Sequence, residues 1–431
     1  MNTLISLLSK LLASMLHSPF WINAVFLFLY NGIDAFSGII FWIIATHSYS
    51  AEVIGLSTGV ISVMGLLAPA ATLGVDAALV RFLPEDNSEN NSYINAALLV
   101  SIISSIVMAI VFILGIDIWT PSLAFIKHDI ILVLLFVFSI TAWTLYKTFV
   151  GIYAGSRHAV YTTAQSIIAS VMRLVLLIAF VLVVNVLYGV LMAWGCGILI
   201  AVIVSVRYLL KKARPSHRYS FRIPIASIKK LLRFSLPYQV GLIARAAPLT
   251  IIPLIVLNSL GSEANAYFYF PWIFVNQLVV SIPVNIGISL VAEGAHSKDK
   301  LSSYVARGGL GVAVVLIPIV VLTIFFAGPI LTIFGNDYVD AGTPVLRLLI
   351  FSAIPLAINE LYVHSLIVQK RLKTIIGIWM FVAVTSISLA FTLVGEYGMT
   401  GIVWAWLLAH GTASVYCLIF LIKNAFTKRI L

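Results

Sequence analysis

The chain has 431 residues, 61% of them hydrophobic and only 10% charged, with a net charge of +11 and a mean hydropathy of +1.10. Soluble domains carry about 25% charged residues, so this composition cannot furnish a water-facing surface and excludes a soluble globular protein. Nor does the positive excess argue for nucleic acid, because it gathers in the connections between apolar runs, where it sets topology and suits anionic lipid headgroups.

Residues 1–17 carry one lysine among alternating Leu and Ser and read as an interfacial segment, without the pattern of a cleavable leader. A helix rises ~1.5 Å per residue, so about 20 apolar residues cross a ~30 Å hydrocarbon core. Twelve such spans are expected, near 20–46, 53–78, 93–115, 129–153, 159–185, 187–209, 233–257, 264–291, 305–327, 343–368, 374–395 and 401–422. Turn residues or charge separate them, as in Pro84-Glu85-Asp86-Asn87-Ser88, Gly155-Ser156-Arg157 and Gly335-Asn336-Asp337.

Alternate connections hold nearly all the Lys and Arg, from Lys10, Arg81 and Arg157 to Lys428 and Arg429, whereas the opposite set holds Lys127 alone. This asymmetry places both termini in the cytoplasm, in a multi-pass protein of the cell inner membrane. The most polar stretch, Arg207 to Arg233, divides the chain into an N-lobe (18–210), a basic linker (211–232) and a C-lobe (233–431). Ser48-x-x-x-Glu52 recurs as Ser259-x-x-x-Glu263 at an offset of 211, and Tyr188-Gly189 as Tyr397-Gly398 at 209. Two six-helix halves with the same orientation are expected, related by an axis along the membrane normal, with a cavity where they meet.

Offset 211 also lays Arg245 on Asp34. An acid and a base are thereby expected at equal depth on opposite sides of the cavity, as a static salt bridge or as a ligand-binding or gating pair. Asp34, Arg173, Arg245 and Glu360 lie deep in spans, where each costs about 2.5–3.5 kcal/mol on the insertion scale; they must face water or one another. Glu360 and His364, at i and i+4 on span ten, share a helix face and suit a proton relay or a packed polar pair. Lys147 lies near the end of span four, as an interfacial side chain or a third cation of the site. The run Tyr267 to Trp272 reads as an aromatic belt at the outer interface, and His410 as a packing residue.

No GxxxxGK[ST] loop and no HExxH occurs, so neither a nucleotide-hydrolysing motif nor a metal motif is read in the chain; no cofactor is expected, and the protein is not read as an enzyme. Cys196 and Cys417 both lie in apolar spans, which suggests no disulfide or metal framework.

Glu52-Val53-Ile54-Gly55, the stretch Gly74 to Glu85, Pro329 to Ala341 followed by Leu346-Arg347-Leu348-Leu349, and Tyr397 to Gly401 carry a resemblance. In these the chain resembles the multidrug/oligosaccharidyl-lipid/polysaccharide (MOP) exporter superfamily, and within it the polysaccharide biosynthesis flippases of O-antigen type. The resemblance implies an all-α, V-shaped membrane protein that alternates between inward- and outward-open states. It implies as substrate a polyprenyl phosphate or pyrophosphate oligosaccharide, exported for cell-surface polysaccharide biosynthesis. Arg245, Arg173 and Lys147 are then the expected substrate-binding cations, and Asp34, Glu360 and His364 the gating or ion-coupling groups, with H+ or Na+ as coupling ion and a monomer as the working unit. The departure is that Asp34 and Glu360 offset the two arginines, which keeps a cation-coupled multidrug antiporter as the alternative. A membrane glycan polymerase or glycosyltransferase would need clustered carboxylates in a large outer loop; segment 328–342 offers only Asp337 and Asp340.

Overall fold

The computed structural model describes residues 19–85, 89–183, 187–220, 222–296 and 301–427, so the expected interfacial segment 1–17 lies outside the described residues. Among the described residues there is no strand, and eleven helical stretches are long and apolar enough to cross a bilayer. The chain is a multi-pass, all-α membrane protein.

In chain order the long helices and the shorter ones beside them are α1 (Pro19–Ser48), α2 (Ala51–Ala71), α3 (Val75–Phe82), α4 (Asn90–Leu114), α5 (Ile130–Gly155), α6 (Val160–Val183) and α7 (Leu187–Val204). They continue with α8 (Ile225–Leu260), α9 (Ser262–Ile273), α10 (Ser281–His296), α11 (Leu301–Thr332), α12 (Asp337–Leu349), α13 (Ala353–Val368) and α14 (Leu372–Thr427). Several expected spans are interrupted, the sixth by a π-turn at Ser205–Leu209 and the tenth by a 3-10 turn at Ile350–Ser352. The second ends at Ala71, because Leu73 and Gly74 adopt φ of 50° and 74° and restart the chain as α3. The eighth holds a π-turn at Phe274–Val279 between α9 and α10. Conversely, helical assignment in α14 runs on through Gly398, where φ of 56° and ψ of −139° mark a kink between two helices.

The chain divides into two compact units: residues up to Ser48 with Met64–Gln239, and Tyr49–Val63 with residues from Val240 onward. In unit 1, α6 packs on α1 and α7, and α5 on α3, α4 and α7. Small residues permit the closest approach. A Cβ on Gly151 would meet the backbone of Asp76 at 2.5–2.9 Å, and one on Gly155 would meet Leu79 O at 2.6 Å; this G-x-x-x-G pair on α5 lets α3 lie backbone against backbone. In unit 2, α13 packs on α10, α11 and α14, and α12 on α9, α11 and α14. The run Tyr267 to Trp272 is buried here from Phe268 onward, with Tyr267 half-buried, and is not an interfacial belt: Phe268 and Phe270 are fully buried, and Phe270 stacks on Phe334 at 4.3 Å. Packing α9 against α12 turns those rings inward.

Unit 1 also fixes the basic connection before α8. Arg214 donates to Ser156 Oγ (2.9 Å) and the Leu83 carbonyl (3.3 Å), Asn95 donates to the Arg218 carbonyl (3.0 Å), and the His217 ring bonds to Asn91 Oδ1 (3.1 Å) and meets Tyr219 edge-on. Burial, with the Arg214 charge second, pushes His217 down to about 4 from 6.5. An unfolded His217 takes up a proton near 6.5 while the packed one refuses it until about 4, so the packing is fully stable above 6.5 and weakens as pH falls through that window. Hydrogen–deuterium exchange over residues 214–220 should therefore rise on acidification beyond the intrinsic rate change, and His217→Asn should remove that pH dependence.

Candidate functional site

In unit 1, polar residues recur at helical spacing on two facing helices. Tyr30, Asp34 and Ser37 fall on one side of α1; Thr163, Ser166, Ser170 and Arg173 fall on one side of α6. The two stripes interlock: Ser37 and Ser170 share a hydrogen bond of 2.7 Å, Ser166 donates to the Tyr30 carbonyl (3.4 Å) and Thr163 to the Phe26 carbonyl (2.6 Å). Arg173 Nη2 donates to Asp34 Oδ1 at 2.7 Å and to Ser170 Oγ at 3.4 Å, and its guanidinium lies 4.7 Å over the Trp194 ring. Its side chain is 6% exposed, whereas that of Asp34 is 47% exposed. Lys147 of α5 donates to the Tyr30 hydroxyl (3.3 Å) within the field of Asp34 and Asp76. It thus turns toward the polar cluster and does not snorkel. Asp76, which accepts from Thr72 at 3.1 Å, is a carboxylate that the span-depth argument missed; its signal was the Gly74 turn, which ends the expected span two residues before it.

Gly197 of α7 makes room for Arg173. A Cβ there would lie 2.8 Å from the Arg173 amide nitrogen and 3.0 Å from its Cα, backbone atoms that cannot step aside. Gly197→Ala should therefore cost about 1–3 kcal/mol of overpacking, read as a lower melting temperature of the purified protein in detergent; wild-type melting would refute so tight an approach.

Unit 2 holds a second pair. Arg245 Nη2 of α8 donates to Glu360 Oε1 of α13 at 2.5 Å, and the guanidinium stands 5.3 Å over the Trp379 ring of α14. Glu360 is 2% exposed and the Arg245 side chain 40%. His364, one turn on, sits 3.6 Å from Glu360 Oε2 and bonds through Nδ1 to the Glu360 carbonyl (2.7 Å); a Cβ on Gly287 of α10 would strike its ring. Asn359 donates to His410 beside it, which gives that buried histidine its partner.

Both charges expected to oppose each other thus have a partner inside their own unit: Asp34 has Arg173, and Arg245 has Glu360. The offset of 211 matched Asp34 with Arg245, whereas each is paired within its own unit. It compares first helix with first helix, whereas each of these pairs joins a first helix to a later one. The units share a plan with reversed sign. Each sets an arginine on a tryptophan and pairs it to a carboxylate, but unit 1 buries the cation and exposes the acid, and unit 2 buries the acid and exposes the cation. Buried members need their partners, since breaking a buried pair from one side costs ~3–5 kcal/mol. Exposed members can engage a mobile ion or ligand. No group of three or more His, Cys, Asp or Glu able to hold a metal occurs among the described residues.

The family model for the polysaccharide biosynthesis protein matches residues 20–291, and the MatE model matches residues 258–392. No curated protein matches. Solved structures are similar over nearly the whole length. The lipid II flippase MurJ in an inward closed conformation is 14% identical, with 95% of this chain and 91% of that one covered and a TM-score of 0.75. An inward-facing multidrug resistance MATE transporter of the MOP superfamily is 13% identical, covering 91% and 95%, at 0.67. A MOP superfamily transporter from Pyrococcus furiosus, described as having a binding pocket of reverse polarity, is 12% identical, covering 96% and 98%, at 0.65. At these identities the likeness shows the fold, which is that of the MOP superfamily.

Proposed function

Because the chain belongs to the polysaccharide biosynthesis protein family, we propose that it is a flippase. Its cargo is a polyprenyl phosphate or pyrophosphate oligosaccharide, moved from the cytoplasmic to the outer leaflet of the cell membrane by alternating access. On this reading α14 makes two spans about Gly398, for twelve in all, both termini are cytoplasmic, and the protein works as a monomer without catalysing bond chemistry.

The observation that carries the proposal is the half-exposed side chain of Arg245, 40% accessible. It spends one nitrogen on Glu360 and keeps further N–H groups in the fork geometry that suits phosphate oxygens. When a phosphate draws Arg245 away, Glu360, 2% exposed, would be left as a bare buried charge. His364 Nδ1 stands 3.6 Å from Glu360 Oε2 and stays beside the carboxylate when Arg245 turns to the cargo. In unit 1, Asp34 is the exposed acceptor for H+ or Na+, while Arg173 and Lys147 hold that cluster's charge balance and add positive potential for an anionic headgroup.

The test is translocation in proteoliposomes of a fluorescent polyprenyl pyrophosphate oligosaccharide, scored by its accessibility to a membrane-impermeant quencher. Protein-dependent flipping at least ~10-fold above protein-free vesicles is expected; none would refute the proposal. A second reading, a cation-coupled multidrug antiporter, draws on the exposed Asp34 and on the MatE match at residues 258–392. It predicts instead uptake of a cationic dye against a gradient in the same vesicles.

A further inference from the structure

A second polar feature lies apart from both ion pairs. The first turns of α8 and the end of α3 frame an open cavity of about 500 Å³ on the surface of unit 1, lined by Phe82, Lys229, Lys230, Arg233 and Phe234. Lys230 is held in place. It lies 5.4 Å from the centre of the Phe82 ring and 5.0 Å from that of Tyr93, 3.3 Å from Glu89, and donates to the Tyr93 hydroxyl, which in turn donates to Glu89. Lys229 and Arg233, four residues apart, share one exposed face of α8. The chain from Arg207 to Arg233 holds nine Lys and Arg and no Asp or Glu. Immediately beyond, α8 exposes Phe234, Leu236 and Tyr238 at 43–49%, the apolar surface of a span. Phe82 and Phe234 meet edge to face at 5.5 Å and form the apolar wall.

We propose that this cavity binds one anionic phospholipid of the leaflet on the basic side. Its phosphate rests on Lys229 and Arg233, and its acyl chains run down Phe82 and Phe234 onto α8. The charge selects the occupant, because a headgroup bearing its own ammonium would confront Lys229 and Arg233 beside a Lys230 already balanced by Glu89, whereas an anionic one meets complementary charge. The apolar wall, continuous with the exposed face of α8, selects a lipid over a free phosphate. The site does not depend on which molecule the protein carries.

Native mass spectrometry of the delipidated full-length protein, titrated with phosphatidylglycerol or phosphatidylcholine, tests it. Phosphatidylglycerol should be retained at one site, phosphatidylcholine at least ~10-fold more weakly. The doubly substituted K229Q/R233Q protein should lose that preference, and K211Q/K212Q, exposed lysines on the same basic connection, should keep it. Equal retention of both lipids, unchanged binding in K229Q/R233Q, an equal loss in K211Q/K212Q, or displacement by millimolar inorganic phosphate would each overturn the proposal.

Discussion

On the proposed function, Arg245→Ala should abolish translocation of the lipid-linked oligosaccharide, with an expected loss of at least ~100-fold in the proteoliposome assay. The single variant confounds two effects, because it removes the proposed phosphate ligand and also strands Glu360 in a site where it is 2% exposed. Breaking such a pair from one side costs ~3–5 kcal/mol, whereas replacing both charged partners is often neutral where the new side chains pack well. Arg245→Ala combined with Glu360→Gln therefore separates them. The double variant should regain wild-type melting and still fail to translocate. If transport returned along with stability, Arg245 would be only a structural partner of Glu360. Arg245→Lys should fall between, since an ammonium keeps the charge but loses the planar fork.

On the proposed function, Asp34→Asn should uncouple the protein from a driving ion. Its partner Arg173, with a side chain only 6% exposed, loses its counter-charge, a loss of up to ~3–5 kcal/mol that the asparagine amide oxygen, Ser170 Oγ at 3.4 Å and the Trp194 face at 4.7 Å offset in part, so melting is measured beside transport. Function should suffer more than folding. In vesicles carrying an imposed pH or Na+ gradient, the variant should lose gradient-driven accumulation, at least ~10-fold, while retaining binding of the anionic headgroup. A variant that responds to the gradient as the wild type does would remove Asp34 from coupling. If headgroup binding vanished too, Asp34 would be acting by holding Arg173 in place.

The spans were legible because hydrophobic length is a local property. The expected 129–153 and 159–185 fall within two residues of Ile130–Gly155 and Val160–Val183. Breaks that depend on one backbone torsion were less so: Leu73 at φ 50° ends α2 early, and nothing in Leu announces it. The ionised residues stood out by their depth, and the arithmetic of burial required partners for them. Which partner each took was hidden, because Arg173 reaches Asp34 across 139 residues and Glu360 reaches Arg245 across 115. One signal was available. Small hydroxyl residues at helical spacing, Ser166 and Ser170 before Arg173 and Ser37 after Asp34, mark the faces that meet. The aromatic run Tyr267 to Trp272 misled because its composition fits an interface equally well, and only the packing of α9 against α12 shows Phe268 to Trp272 buried.

Binding of the headgroup at Arg245 is the claim from which the transport cycle follows, and it can be measured without transport. Isothermal titration of the purified Arg245→Ala/Glu360→Gln protein with a short-chain prenyl pyrophosphate oligosaccharide, beside the wild type, isolates it. Affinity at least ~10-fold weaker than wild type, with melting unchanged, is the predicted result. Equal affinity in the two proteins would contradict the account.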